Sequence, residues 1–152
     1  MDEKKLKVLD RLRGLCSRRE YCYADVLKKA KDALDGDAQA AKEDADVLVE
    51  DKYVDDLRYA SAFARDKSAI QGWGDVKIRY MLSAKGVAAS VITEALQEID
   101  REKSSSRLHK LLENTLCSLK DDPQCRLKLL RFALGRGYSY DEASHTIDQL
   151  LR

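Results

Sequence analysis

The sequence predicts an all-α protein made of three tandem three-helix repeats, about nine helices in all. Apolar residues recur at close to helical spacing almost end to end. Helix-interrupting residues are scarce, with 1 Pro and 7 Gly in 152 residues. The apolar pattern also returns after one fixed step, from Gly86 to Gly137, which is 137 − 86 = 51 residues.

Taken in order, Leu6, Leu9, Leu12 and Leu15 mark a first helix, and Val26, Leu27, Ala30 and Leu34 a second. The turn Asp35-Gly36-Asp37 leads into a third helix with Ala41, Ala45 and Leu48. Asp55 is an N-cap for a fourth, which carries Leu57, Ala60, Phe63 and Ala64. Gly72-Trp73-Gly74 breaks the chain. Asp75 then caps a fifth helix through Ile78, Met81 and Leu82 that stops at Gly86, where a left-handed cap is expected. Val91, Ile92, Ala95, Leu96 and Ile99 give a sixth helix, and Leu108, Leu111, Leu112, Thr115 and Leu119 a seventh. Asp122-Pro123 reads as the start of an eighth that ends at Gly135 or Gly137. Ser139-x-x-Glu142 is a capping box for a ninth with Ala143, Ile147 and Leu150.

The 51-residue step pairs Lys77 with Lys128, Ile78 with Leu129, Ile92 with Ala143 and Leu96 with Ile147. Backwards from Ile92 and Leu96 it reaches Ala41 and Ala45; from Ile78 and Leu82 a step of 52 reaches Val26 and Ala30. These steps divide the chain into repeats at 1–52, 53–100 and 101–152. A unit that small cannot bury its own apolar stripe, so neighbours pack in series and offer an extended binding surface.

Composition narrows the function classes. No run of about 20 apolar residues is present, and Met1-Asp2-Glu3-Lys4-Lys5 opens an amphipathic pattern without a signal-peptide core. Cys16, Cys22, Cys117 and Cys125 have no metal-ligand spacing and read as reduced thiols, with Cys16 and Cys117 near apolar stripes. A cytoplasmic protein without cofactor or metal is expected. The net charge of +1 hides segregation: residues 1–31 carry +5, 32–56 carry −8, 57–76 carry +1 and 77–152 carry +3. Such a chain presents a cationic face, or merely solvated helix backs.

The most specific text is Tyr53-Val54-Asp55-Asp56-x-Arg58-Tyr59-Ala60, then Phe63 and Arg65, then Gly72-Trp73-Gly74-x-x-Lys77-Ile78-Arg79-x-x-Leu82-x-x-Lys85-Gly86. With Arg131-Phe132 and Arg136-Gly137-Tyr138-Ser139-Tyr140-Asp141, it resembles the RecX family of bacterial regulators of the RecA recombinase. The first repeat departs from that pattern, with Cys22-x-x-Asp25-Val26 and Leu34-Asp35-Gly36 where the family usually has Ser-x-x-Glu-Leu and Lys-Gly. The resemblance implies an elongated, all-helical monomer acting in homologous recombination, DNA repair and the SOS response. Its partner is then a RecA filament on single-stranded DNA, in whose groove it lodges, inhibiting strand exchange and filament growth; contact with DNA itself is a further option.

Arg58, Arg65, Lys77, Arg79 and Lys85, with Arg126, Lys128, Arg131 and Arg136, are the cationic candidates for contact with phosphates or an acidic surface. The alternative is a solvated face, and the resemblance favours contact. Trp73 reads either as an exposed anchor or as a ring packed over helix ends, while Gly72, Gly74, Gly86 and Gly137 supply turns. Asp55 and Asp56 invite metal or acid–base chemistry, yet an N-cap and a first-turn acid account for both. His109 with Glu113, and Asp141 with His145, are surface pairs four residues apart. No nucleophile motif or phosphate-binding loop accompanies them, so no catalysis is expected. A helix-turn-helix-like module binding nucleic acid on its own, and a plain helical scaffold, are the competing classes.

Overall fold

A computed structural model describes residues 3–152. Met1 and Asp2, part of the N-terminal reading above, lie outside the described residues. The described chain is all-α, without a strand. Its helices are α1 (Glu3–Arg18), α2 (Tyr23–Ala33), α3 (Ala38–Glu50), α4 (Asp56–Ala69), α5 (Asp75–Ala84), α6 (Ala89–Leu96), α7 (Arg101–Leu116), α8 (Cys125–Gly135) and α9 (Tyr140–Leu150). None is long and apolar enough to cross a membrane. Three consecutive three-helix repeats follow from that order. Packing divides the chain into two compact units, one of residues up to Ser61 with Leu82–Glu94, the other of Ala62–Met81 with Ala95–Arg152.

In the first unit α1, α2 and α3 pack on one another around Val8, Leu9, Leu12, Val26, Ala30, Ala41, Ala45 and Leu48. Leu6, expected on that stripe, is exposed, because Val8 and Leu9 turn the buried face of α1 by part of a turn. Asp37 caps α3 by accepting from the Ala40 amide at 3.1 Å, and Asp55 caps α4 by accepting from the Arg58 amide at 3.0 Å. Part of the charge segregation is spent inside this unit. Basic residues of α1 pair with acidic ones near and on α3: Lys4 with Asp35, Lys5 with Glu43, and Arg13 with Asp51.

In the second unit α7, α8 and α9 enclose Leu108, Leu112, Leu129, Ala133, Tyr138, Ala143 and Ile147. Ser139 and Glu142 form the complete capping box ahead of α9. Asp122-Pro123 does not open α8. The Asp122 carboxylate accepts from the Gln124 amide at 2.8 Å, a turn that holds the chain out of the helix until Cys125. Asp75 is the first residue of α5, and its carboxylate takes the Arg101 guanidinium at 2.8 Å instead of a backbone amide. Met81 and Cys117, expected near apolar stripes, are exposed.

The ends of α5 and α8 share one geometry. Gly86 (φ +81°) and Gly137 (φ +93°) are left-handed as expected. At each turn the following amide reaches back to a carbonyl of the last helical turn: Val87 to Leu82, and Tyr138 to Ala133. After α3, Lys52 occupies the same position with φ +64°, where a Cβ is disfavoured. Its side chain makes no ion pair among the described residues. Lys52→Gly therefore raises stability by about 0.5–1 kcal/mol, the strain relieved less the glycine's extra unfolded entropy. Urea unfolding reads this, and a midpoint that falls instead would show that the lysine is not strained.

Candidate partner-binding surface

Two stretches singled out by sequence, Gly72-Trp73-Gly74 and Arg136-Gly137-Tyr138, meet in the second unit. The Gly74 amide donates to the Arg136 carbonyl at 2.8 Å, and the Val76 amide to the Gly137 carbonyl at 2.9 Å. The Tyr138 hydroxyl donates to the Gly72 carbonyl at 3.0 Å. Burial pushes the Tyr138 phenol above its ordinary pKa, so it stays a neutral donor. The approach leaves no room for side chains. A Cβ on Gly74 would stand 2.5 Å from the Gly137 carbonyl oxygen, and one on Gly137 would stand 2.2 Å from the Cβ of Lys77.

One link of this joint has a counterpart in the first unit. Subtracting 52 from Gly74 gives Cys22, and subtracting 51 from Arg136 gives Lys85. There the Cys22 thiol, not a backbone amide, donates to the Lys85 carbonyl at 3.7 Å. Burial raises the thiol's pKa and keeps the proton on sulfur. Lys85 also pairs with Asp25 at 3.5 Å. Asp56 accepts from the Tyr23 amide at 2.8 Å, so it caps α2 from another helix while Asp55 caps its own. Both carboxylates of the motif are thus helix caps.

The joint of the second unit carries an aromatic–cation layer. Phe63 meets Trp73 edge-on, with centroids 6.3 Å apart. The Trp73 ring is covered by the ammonium groups of Lys77 at 4.3 Å and Lys67 at 4.8 Å. Arg136 stacks over Phe132 at 5.0 Å. The half-buried Trp73 therefore packs over helix ends and still presents two cations. Lys67 was not among the sequence candidates, although its place one turn after Phe63 on α4 was the available signal.

The remaining candidates separate by what already holds them. Arg58 is tied to Glu20 and to the carbonyls of Lys52 and Tyr53 at the end of α3. Arg126 pairs with Asp148 at 2.6 Å, and Lys128 with Asp122 at 2.5 Å. Arg101, which sequence reading passed over, clamps Asp75 and the Leu96 and Ile99 carbonyls. Arg79 is exposed on α5. Among the described residues, Arg65 and Arg131 are exposed and have no hydrogen bond, ion pair or ring partner.

A family model described as RecX, second three-helix domain, matches residues 55–96. The chain is 34% identical to Regulatory protein RecX of Clostridium botulinum (strain Alaska E43 / Type E3), over 93% of this chain and 72% of that protein. It is 35% identical to Regulatory protein RecX of Vibrio parahaemolyticus, over 88% of this chain and 84% of that one. In fold it is similar to the crystal structure of RecX from Lactobacillus salivarius, with a TM-score of 0.86 and 18% identity over 99% of this chain and 98% of that one.

Proposed function

We propose, from the premise that this chain belongs to the RecX family, that it is a cytoplasmic negative regulator of RecA. In this reading it binds as a monomer in the groove of RecA filaments on single-stranded DNA and inhibits strand exchange and filament growth. The repeat boundaries at 1–52, 53–100 and 101–152 belong to the same proposal. The observation that carries the site is the joint of the second unit. It gathers Trp73, Lys67, Lys77 and Arg136 around two motifs of the family pattern, and the unpaired Arg65 and Arg131 belong to the same unit. Several weak charged contacts to a repeating polymer add through effective concentration. In the first unit the basic residues Lys4, Lys5 and Arg13 are engaged with acidic partners, which favours the second and third repeats as the cationic side.

The test compares inhibition of RecA strand exchange by the parent protein and by a Lys77→Glu, Arg79→Glu, Lys85→Glu variant. Because Lys77 covers Trp73 and Lys85 pairs with Asp25, folding is checked by circular dichroism. A second variant, Arg65→Glu with Arg131→Glu, removes no internal contact. Both are expected to weaken inhibition, most at low salt where screening is least. Reversing Glu43 and Asp46 is expected to matter less. Folded variants that inhibit as well as the parent would leave these charges as a solvated face. Equal binding of the parent to naked and RecA-coated single-stranded DNA at one salt concentration would favour the helix-turn-helix-like module instead.

A further inference from the structure

The chain holds two histidines, and both line one cleft of the second unit. The cleft, of about 400 Å³, is lined from α7 by Ser105, Ser106 and His109 and from α9 by His145, Thr146 and Gln149. Each imidazole has a polar neighbour one turn further along its own helix. Glu113 Oε2 stands 3.8 Å from His109 Nδ1 and draws the ring proton to that side, which leaves the lone pair on Nε2. The Gln149 amide nitrogen lies 3.4 Å from His145 Nε2. An amide nitrogen only donates, so this Nε2 carries a lone pair as well. Both rings thus keep one nitrogen in the form that binds a metal. Around them stand the hydroxyls of Ser105, Ser106 and Thr146, none with a hydrogen-bond partner among the described residues. Thr146 is only 8% exposed, so the cleft it lines is where its hydroxyl can find a partner. No lysine or arginine lines the cleft, and no fixed positive charge there repels a cation.

We infer that His109 and His145 together bind one divalent transition-metal ion of the nickel, copper and zinc group across α7 and α9. Imidazole is the ligand that suits these ions, whereas calcium and magnesium take oxygen. Among the described residues no group of three or more histidines, cysteines or carboxylates is arranged to hold a metal. Water therefore fills the remaining positions, and the ion is exchangeable, unlike one in a closed four-ligand site. Metal-bound water is a strong donor, and the three idle hydroxyls accept from it. Helical proteins build metal sites in this way, from side chains on facing helices. Ligation from both helices ties α7 to α9, so the ion stabilises the last repeat by mass action. The inference stands on this cleft and not on the RecA reading.

The probe is nickel chloride titrated into protein that carries no affinity tag. Calorimetry should find one nickel ion per chain, and the thermal unfolding midpoint should rise with the metal. His109→Gln and His145→Gln should each weaken binding by at least the roughly tenfold that loss of a mere orienting partner costs. Each should also abolish the rise in midpoint. Cys117→Ser, which removes the exposed thiol at the end of α7, should bind as the parent does. A readout on the parent itself needs no variant to fold. Nickel is paramagnetic, so both imidazole proton signals should broaden together in the NMR spectrum as the first equivalent is added. Absence of binding by the parent overturns the site, and so does parent-like binding in either histidine variant. Broadening of one imidazole alone overturns it as well, because the ion then sits on a single surface side chain. Loss of binding in Cys117→Ser overturns it by assigning the ion to the thiol.

Discussion

Gly137→Ala lowers the stability of this protein by about 2–4 kcal/mol, the sum of a left-handed residue that gains a side chain and a close packing contact that must open. The φ of +93° accounts for the first part, and the 2.2 Å separation from the Lys77 Cβ for the second. Gly86→Ala is the internal comparison. Its φ is +81°, but its new Cβ meets the Ala24 Cβ at 3.2 Å, a contact that a small local shift relieves. It is expected to cost only about 1–2 kcal/mol. Urea unfolding followed by circular dichroism measures both. Equal midpoint shifts would mean that Gly137 and Lys77 do not approach so closely in solution.

Asp44→Asn is expected to act in the opposite direction, raising stability by about 1–2 kcal/mol near neutral pH, the cost of a buried carboxylate with one oxygen left without a partner. Asp44 lies on α3, is 2% exposed, and its Oδ2 has no hydrogen-bond partner. Burial raises its pKa, Lys5 and Arg13 pull it down, and Glu43 pushes it up. A carboxyl whose folded pKa is raised costs nothing below its unfolded pKa, where both states hold the proton. The cost grows as pH rises through the unfolded value and is complete above the folded one. The gain from Asn should therefore be full at about pH 7 and absent at about pH 3, with the difference from the parent isolating this group. Asp46, whose pKa is lowered chiefly by a hydrogen bond from Lys42, acts in the reverse sense and cancels in that difference. A gain of the same size at both pH values would assign it to packing, not to ionisation.

The helices were legible because each carries local signals that nothing distant overrides. Ser139 with Glu142, Asp37, Asp55, Gly86 and Gly137 all act within one turn of their own position. Asp122-Pro123 and Asp75 were misread because a side chain with one good local use was taken up by another, a turn amide in one case and Arg101 in the other. Leu6 and Met81 fit the helical period but lie at the edge of the stripe, where period alone does not decide exposure. For the candidate surface, the sequence supplied the cations and not their engagements. Nothing in the spacing of Arg58 reveals Glu20, and nothing local separates Arg131 from Arg126, which pairs with Asp148. Nor could periodicity reveal that Gly74 and Gly137 touch, since the reason lies in a missing atom on each side. The repeat offset alone carried a hint, because it sets Cys22 against Gly74.

The joint between Gly72–Gly74 and Arg136–Tyr138 also orders events on the ribosome. The bonds that seat the start of α5 come from residues far later in the chain, so they form only after Tyr138 has been synthesised. The first unit holds no residue beyond Glu94, and domains generally fold as units in the order in which they emerge. The last residue of the first unit is thus made while the Gly72-Trp73-Gly74 segment still waits for its partners, with Trp73 open to a chaperone until translation reaches the last repeat.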